Sequence, residues 1–181
     1  MVEKEKKFKR NLGKGFEDAV RESFEKIPNV SIDRIPDQLS KFKGSTNICD
    51  FVVYKYPTQF YIECKSVHGN TLSIYSVPKK GKDGKLHGFH GDIRDNQWDG
   101  LIEKSKINGV VAGILCWWVD YDETWFIPMW LLADAYVNGD KSINLRHPYC
   151  QGYWTHIYGT KKRVYFDYDM RPLLKLKNKE E

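Results

Sequence analysis

The stretch Cys49–Ser66, CDFVVYKYPTQFYIECKS, decides how the rest of the chain is read. Phe51 to Tyr54 and Phe60 to Ile62 are β-branched or aromatic, and Tyr56-Pro57-Thr58 separates them, so the segment predicts a β-hairpin. Asp50 opens the first strand, and Glu63 and Lys65 close the second. Side chains two apart on a strand share a face, so Glu63 and Lys65 point the same way. With Pro57-Thr58 at the tip, Tyr56 lies opposite Gln59, and Asp50 opposite Lys65 and beside Glu63. The three polar groups then converge on one face, an arrangement that a slip of one residue would destroy. Val52 and Tyr54 share that face, while Phe51, Val53, Phe60, Ile62 and Cys64 line the other, as in a strand pair internal to a sheet.

Upstream of the hairpin, Phe16, Val20, Phe24 and Ile27 recur at helical spacing and Pro28-Asn29 stops the run. This predicts an amphipathic helix over 15–27, with Glu17 at the margin of its apolar stripe. Residues 1–12, nearly all charged at the start and including Lys7 and Arg10, predict a flexible basic arm. Val30 to Ile35 reads as a first strand, and Lys41 to Asn47 as a polar connection to the hairpin.

Downstream, residues 69–92 form a lysine-rich and glycine-rich insertion carrying Lys79, Lys80, Lys82 and Lys85, too long for a simple connection. Ile93 to Ile107 predicts a helix with Gln97 near its buried margin. Gly109 to Val119 is continuously apolar, as in a strand covered on both faces, and it turns through Asp120 to Asp122 into Thr124 to Ile127. Pro128 suits the first turn of a helix running through Tyr136. Tyr153 to Tyr158 and Val164 to Tyr168, about a turn at Gly159-Thr160, predict an extra C-terminal hairpin. The sum is an α/β chain with a central mixed β-sheet flanked by helices.

At 181 residues the chain suits one domain, over 13–181, beyond the basic arm. The net charge of +5, crowded at residues 1–10, 79–85 and 161–163, points to a polyanionic partner, although plain solubility accounts for a modest lysine excess equally well. The four cysteines form no CxxC pair, so free thiols in a reducing compartment are expected. His147, Cys150 and His156 match no compact zinc-finger spacing. The longest apolar run, Val110 to Val119, is too short to span a bilayer, which predicts a cytoplasmic protein without membrane attachment.

Hydrolysis of a phosphodiester is helped by divalent cations that neutralise developing charge, and hard cations such as Mg2+ take oxygen ligands. Asp50 and Glu63 offer such oxygens, and the backbone carbonyl of Cys64 between Glu63 and Lys65 offers another. Lys65 is a point charge suited to the transition state. A Glu-x-Lys pair alone is most often a solvated salt bridge worth less than about 1 kcal/mol. Here it is joined by Asp50, by a preceding helix with Glu17 and by a following helix with Gln97.

That order resembles the PD-(D/E)xK nuclease superfamily with its restriction-endonuclease-like core. Gly13-Lys-Gly-Phe-Glu17, Cys49-Asp50-Phe51, Tyr61-Ile-Glu-Cys-Lys-Ser66, Phe89-His90, Asp95-Asn-Gln97 and Trp125-Phe-Ile-Pro128 are together similar to the RecU-type Holliday junction resolvases. The resemblance covers roughly residues 13–136. It implies a magnesium-dependent endonuclease that resolves four-way DNA junctions as a homodimer, with Mn2+ expected to substitute. Asp50, Glu63 and Glu17 match the metal-binding acids, Lys65 the catalytic lysine, and Gln97 the helix bordering the site. The chain departs from the family in its longer segment between Lys65 and Gln97, and in lacking a long insertion near Pro57 comparable to the family's stalk. Lys79, Lys80, Lys82, Lys85, Lys7 and Arg10 are the candidate DNA contacts. A restriction-type duplex endonuclease of the same fold is the alternative within the enzyme class. A non-catalytic DNA-binding module gripping bases with exposed Trp98 or Trp154 is the alternative outside it, and an interaction protein with only surface charges is a third.

Overall fold

A computed structural model describes residues 2–35, 47–148 and 150–177, of which 2–11 and 150–151 as backbone alone. Lys7 and Arg10 therefore lie outside the described side chains, as does Cys150, and most of the expected connection over 41–47 lies outside the described residues. Helix α1 runs Val2–Glu25, so the helical backbone begins well before the expected start at Gly15 and takes in the stretch read as a flexible arm. No proline or glycine precedes Gly13, and Lys, Glu and Arg are good helix formers, so nothing in the sequence breaks the helix on that side.

Strands β1 (Ser31–Arg34), β2 (Phe51–Lys55) and β3 (Thr58–Val67) form an antiparallel meander. After β3 come β4 (Thr71–Ser73), β5 (Lys79–Lys80) and β6 (Leu86–His87), then helix α2 (Asp95–Ser105) and strands β7 (Val110–Trp118) and β8 (Glu123–Pro128). Helix α3 (Met129–Val137) starts directly after Pro128, and β9 (Ser142–Asn144), β10 (Thr155–His156), β11 (Gly159–Lys161) and β12 (Phe166–Tyr168) complete the strands. The central sheet has the order β1-β2-β3-β7-β8-β10, parallel only at β3–β7 and therefore mixed. The insertion over 69–92 is not a plain loop: β4 pairs with β9, and β5 with β6. The C-terminal hairpin exists but is displaced. Its strands are β11 and β12, joined through residues 162–165, whereas Thr155–His156 joins the edge of the central sheet on β8.

Each face of the sheet has its own core. Phe16, Val20 and Phe24 of α1 pack with Phe51, Val53, Phe60, Ile62, Leu115 and Trp117. On the other face, Trp98 and Leu101 of α2 and Leu131 and Leu132 of α3 meet Ala112, Ile114, Cys116 and Trp118. The unbroken apolar run of β7 is thus explained, because alternate residues serve opposite cores. Fully burying one such Phe or Leu contributes about 1.5–3 kcal/mol. Trp98 and Trp154, expected as exposed base-gripping aromatics, are buried in this second core. Among the described residues, no helix is long and apolar enough to cross a membrane.

Candidate active site

The hairpin register places Tyr54 opposite Gln59 and Lys55 opposite Thr58, so the tip is Tyr56-Pro57 and the pairing is two residues away from the expected one. An even shift preserves which face each side chain takes. Asp50 therefore stays on the face of Glu63 and Lys65, but the ladder carries it towards Glu63 rather than Lys65. The pairing ends irregularly there. The Asp50 amide donates to the Ile62 carbonyl at 3.1 Å, and the Cys64 amide donates to Asp50 Oδ2 at 2.8 Å. A strand residue's N–H and C=O project to the same edge, so the Cys64 carbonyl is aimed to the side on which Asp50 sits.

The parallel β3–β7 pair requires a crossover, and α2 supplies it. A helix that crosses from the end of one parallel strand to the start of the next begins at the carboxyl end of the first strand. The opening turn of α2 accordingly meets the end of β3, where Glu63 and Lys65 stand. Gln97, in that turn, is 2% exposed. Its Oε1 accepts from the Arg94 amide and from Lys65 Nζ, both at 3.1 Å. With the oxygen assigned by two donors, the amide nitrogen is free to donate, and Gln97 Nε2 reaches Glu63 Oε1 at 2.6 Å. Lys65 Nζ also lies 2.9 Å from Glu63 Oε1. Glu63, Lys65 and Gln97 thus form a closed triangle.

Glu63 is 3% exposed, and its Oε2 is buried with no hydrogen-bond partner. Burial is the main reason its carboxyl is pushed up to about 7, with the Asp50 charge adding to the shift and Lys65 opposing it. Asp50 is also raised, again by burial, against the Cys64 amide, Lys65 and a proton shared with Glu63, which all favour its charged form. A buried and a half-buried carboxylate side by side are acceptors facing acceptors, and they need a proton or a cation between them. The Cys64 thiol is pushed far up by burial and then by the charges of Asp50, Glu63 and Glu17; Cys49 is pushed up to about 12 by burial first. Neither is a thiolate nucleophile.

Glu17 stands on the α1 side of the sheet. Its carboxylate pairs with Arg34 of β1, yet its charge is felt at Cys64, so it flanks the same end of β3. This pairing had no signal in the sequence, because it depends on the order of β1 in the sheet. The expected DNA-contacting lysines Lys79, Lys80, Lys82 and Lys85 are all exposed, on the β5–β6 hairpin. Arg94 is a residue that sequence reasoning passed over. It precedes α2, its amide holds Gln97, and its charge is felt at Glu63. Only its position three residues before Gln97, at the opening of a helix, could have singled it out.

Among the described residues, no group of three or more His, Cys, Asp or Glu side chains is placed to hold a metal ion. The residues at this end of β3 still suit Mg2+, which keeps several waters and is commonly bound through one or two carboxylates. Asp50, the orphaned Glu63 Oε2 and the Cys64 carbonyl are such a partial ligand set. No family model matches the chain, and no curated protein matches its sequence.

Proposed function

We propose that the chain is a magnesium-dependent DNA endonuclease of the PD-(D/E)xK type, acting on branched DNA such as a four-way junction. The observation that supports this reading best is the buried, unpartnered Glu63 Oε2 beside Asp50, next to a lysine held in place by Gln97. With both acids ionised that oxygen faces Asp50 without a donor, at a cost of about 1–3 kcal/mol or more that a bound cation would remove.

Asp50 and Glu63 would hold the cation, with the Cys64 carbonyl as a third oxygen. Glu17 would join them on exchanging Arg34 for the metal. When bound, Mg2+ supplies charge neutralisation at the phosphate and promotes deprotonation of water. Lys65, kept at 2.9 Å from Glu63 and oriented by Gln97, offers a fixed positive charge to the phosphoryl oxygens as negative charge builds. Gln97 touches no reacting atom and acts by positioning Lys65 and Glu63. Two cuts in strands of like polarity require two such sites related by a two-fold axis, hence a homodimer.

Cleavage of an end-labelled four-way junction, compared with its separate linear arms in Mg2+, tests the reading. The junction is expected to be cut in preference, with Asp50→Ala and Lys65→Ala losing cleavage by about 100-fold or more while binding DNA. Equal cutting of junction and arms would shift the assignment to a restriction-type duplex nuclease. Undiminished cutting by both variants would remove the site assignment altogether.

A further inference from the structure

The β5–β6 hairpin is unusual in burying nothing. Lys79, Lys80, Leu86 and His87 are all exposed, so both faces of this two-stranded ribbon meet solvent. A lone two-stranded ribbon is marginal in water, and its own packing does not hold this one. Its root does. Gly88 and Phe89 donate their amides to the two carboxylate oxygens of Asp95 at 2.7 and 2.8 Å, and Ser76 donates its amide to the Phe89 carbonyl at 2.9 Å. Ser73 and Asp92 close the base, the Ser73 amide donating to Asp92 Oδ2 at 2.7 Å and the Asp92 amide to the Ser73 carbonyl at 3.0 Å. Asp95 and Gln97 belong to the same first turn of α2, so the ribbon is anchored beside the residue that holds Glu63.

The charge on the ribbon is one-signed. Between Lys79 and His87 four lysines accompany a single acid, Asp83, and that acid is engaged by His87 Nε2 at 2.8 Å and by the Lys85 amide at 3.1 Å. The register pairs Lys79 with His87 and Lys80 with Leu86. Alternation then puts Lys79, Lys85 and His87 on one face and Lys80 and Leu86 on the other, with Lys82 in the tip. A ribbon lying flat on a polyanion would carry its lysines on one face. Lysines on both faces suit a ribbon with phosphates on either side. The major groove of B-DNA is wide enough for a two-stranded β-ribbon and is walled by phosphates.

We propose that the β5–β6 ribbon enters the major groove of a duplex arm next to the Asp50 and Glu63 carboxylates, with Lys79, Lys80, Lys82 and Lys85 on the phosphates of both groove walls. This rests on the nuclease reading for its choice of DNA. It assigns to the ribbon the task of holding a duplex in register with the cutting site.

The test uses the full chain in metal-free buffer, so that binding is read without cleavage, with a labelled short duplex and a four-way junction. Wild type and the variant K79Q/K80Q/K82Q/K85Q are titrated over a series of salt concentrations. Four lost phosphate contacts make the slope of log affinity against log salt shallower by about 3 to 4 and weaken binding roughly tenfold or more at moderate salt. Dimethyl sulfate footprinting reads the groove directly: wild type protects guanine N7 in the bound arm and the variant does not. The melting temperature stays unchanged, since the replaced side chains are exposed. An unchanged salt slope overturns the proposal, and so does a wild-type complex without N7 protection. Mg2+-dependent cutting by wild type that survives such a result keeps the nuclease reading while the ribbon assignment falls. Undiminished cutting by Lys65→Ala, together with N7 protection, does the reverse.

Discussion

Half-buried Asp50 and buried Glu63 share a corner in which burial raises both acids and the Asp50 charge raises Glu63 further; among the described residues, the fixed cation bonded to Glu63 there is Lys65. The sign of the resulting pH dependence follows from the direction of the shift. Glu63 is pushed from 4.5 to about 7, so the folded state prefers the protonated acid. Its contribution to stability is complete below 4.5 and is lost as pH rises through 7. Metal-free protein should therefore melt lower at pH 8 than at pH 5.5. Mg2+ should raise the melting temperature at pH 8 and do so far less at pH 5.5, where protons occupy its ligands. Differential scanning calorimetry at the two pH values, with and without Mg2+, checks this; equal stabilisation by Mg2+ at both would count against Glu63 as a ligand. Gln97 carries a second prediction. Gln97→Ala takes the side-chain acceptor from the Arg94 amide and one bond each from Lys65 Nζ and Glu63 Oε1, which keep only each other. Cleavage should fall about 10- to 100-fold with DNA affinity little changed, as measured by single-turnover rates beside a binding titration. The polar triplet was legible in the sequence because three charged residues interrupt apolar strands. The closed Glu63–Lys65–Gln97 triangle was not, since it forms only when the crossover returns α2 over the end of β3. The Arg34 pairing of Glu17 was hidden for the same reason.

At the level of elements, the hairpin is the instructive case. Alternation of apolar and polar residues specifies faces, and the faces agree; the tip lies one residue before the expected Pro57-Thr58, which moves the cross-strand pairing by two, and alternation is blind to an even shift. The β7 strand was equally legible, its apolar run matching a strand shared by two cores. The pairing of β4 with β9 was not, because it joins short segments some seventy residues apart in sequence with weak patterns of their own. Within β7, Gly113 is a position where closeness of packing can be tested. A Cβ there would sit 2.4 Å from the Ile127 carbonyl of β8 and 2.6 Å from the Phe126 ring, and the first of these is backbone that cannot swing aside. Gly113→Ala should destabilise the protein by about 1–3 kcal/mol, read from urea denaturation, without changing the residues of the pocket. A neutral effect would mean that β8 yields more easily than a paired strand should.

For the whole molecule, the order helix, meander, crossover helix, buried strand and returning strand was recoverable from periodicity and turn residues. What periodicity could not supply was the use made of the segments outside that order. The β5–β6 ribbon has short, exposed strands placed by contacts at its root, such as Asp95 with Gly88 and Phe89, whereas the β11–β12 hairpin is placed by Phe166 and Tyr168 of β12 entering the core beside α1. The molecule so assembled sets a buried acidic pair, a held lysine and an exposed basic ribbon around one end of one strand and the opening turn of one helix. A salt-bridged sheet edge would explain Lys65 and Glu63 but not the orphaned Glu63 Oε2. The cation is therefore the central claim. Crystals soaked in Mn2+ and measured at a wavelength where manganese scatters anomalously test it most directly. An anomalous peak is expected between the Asp50 and Glu63 carboxylates, retained in Lys65→Ala and lost in Asp50→Ala; a map with no peak there, or with manganese bound only elsewhere on the chain, would rule out the cation at this site.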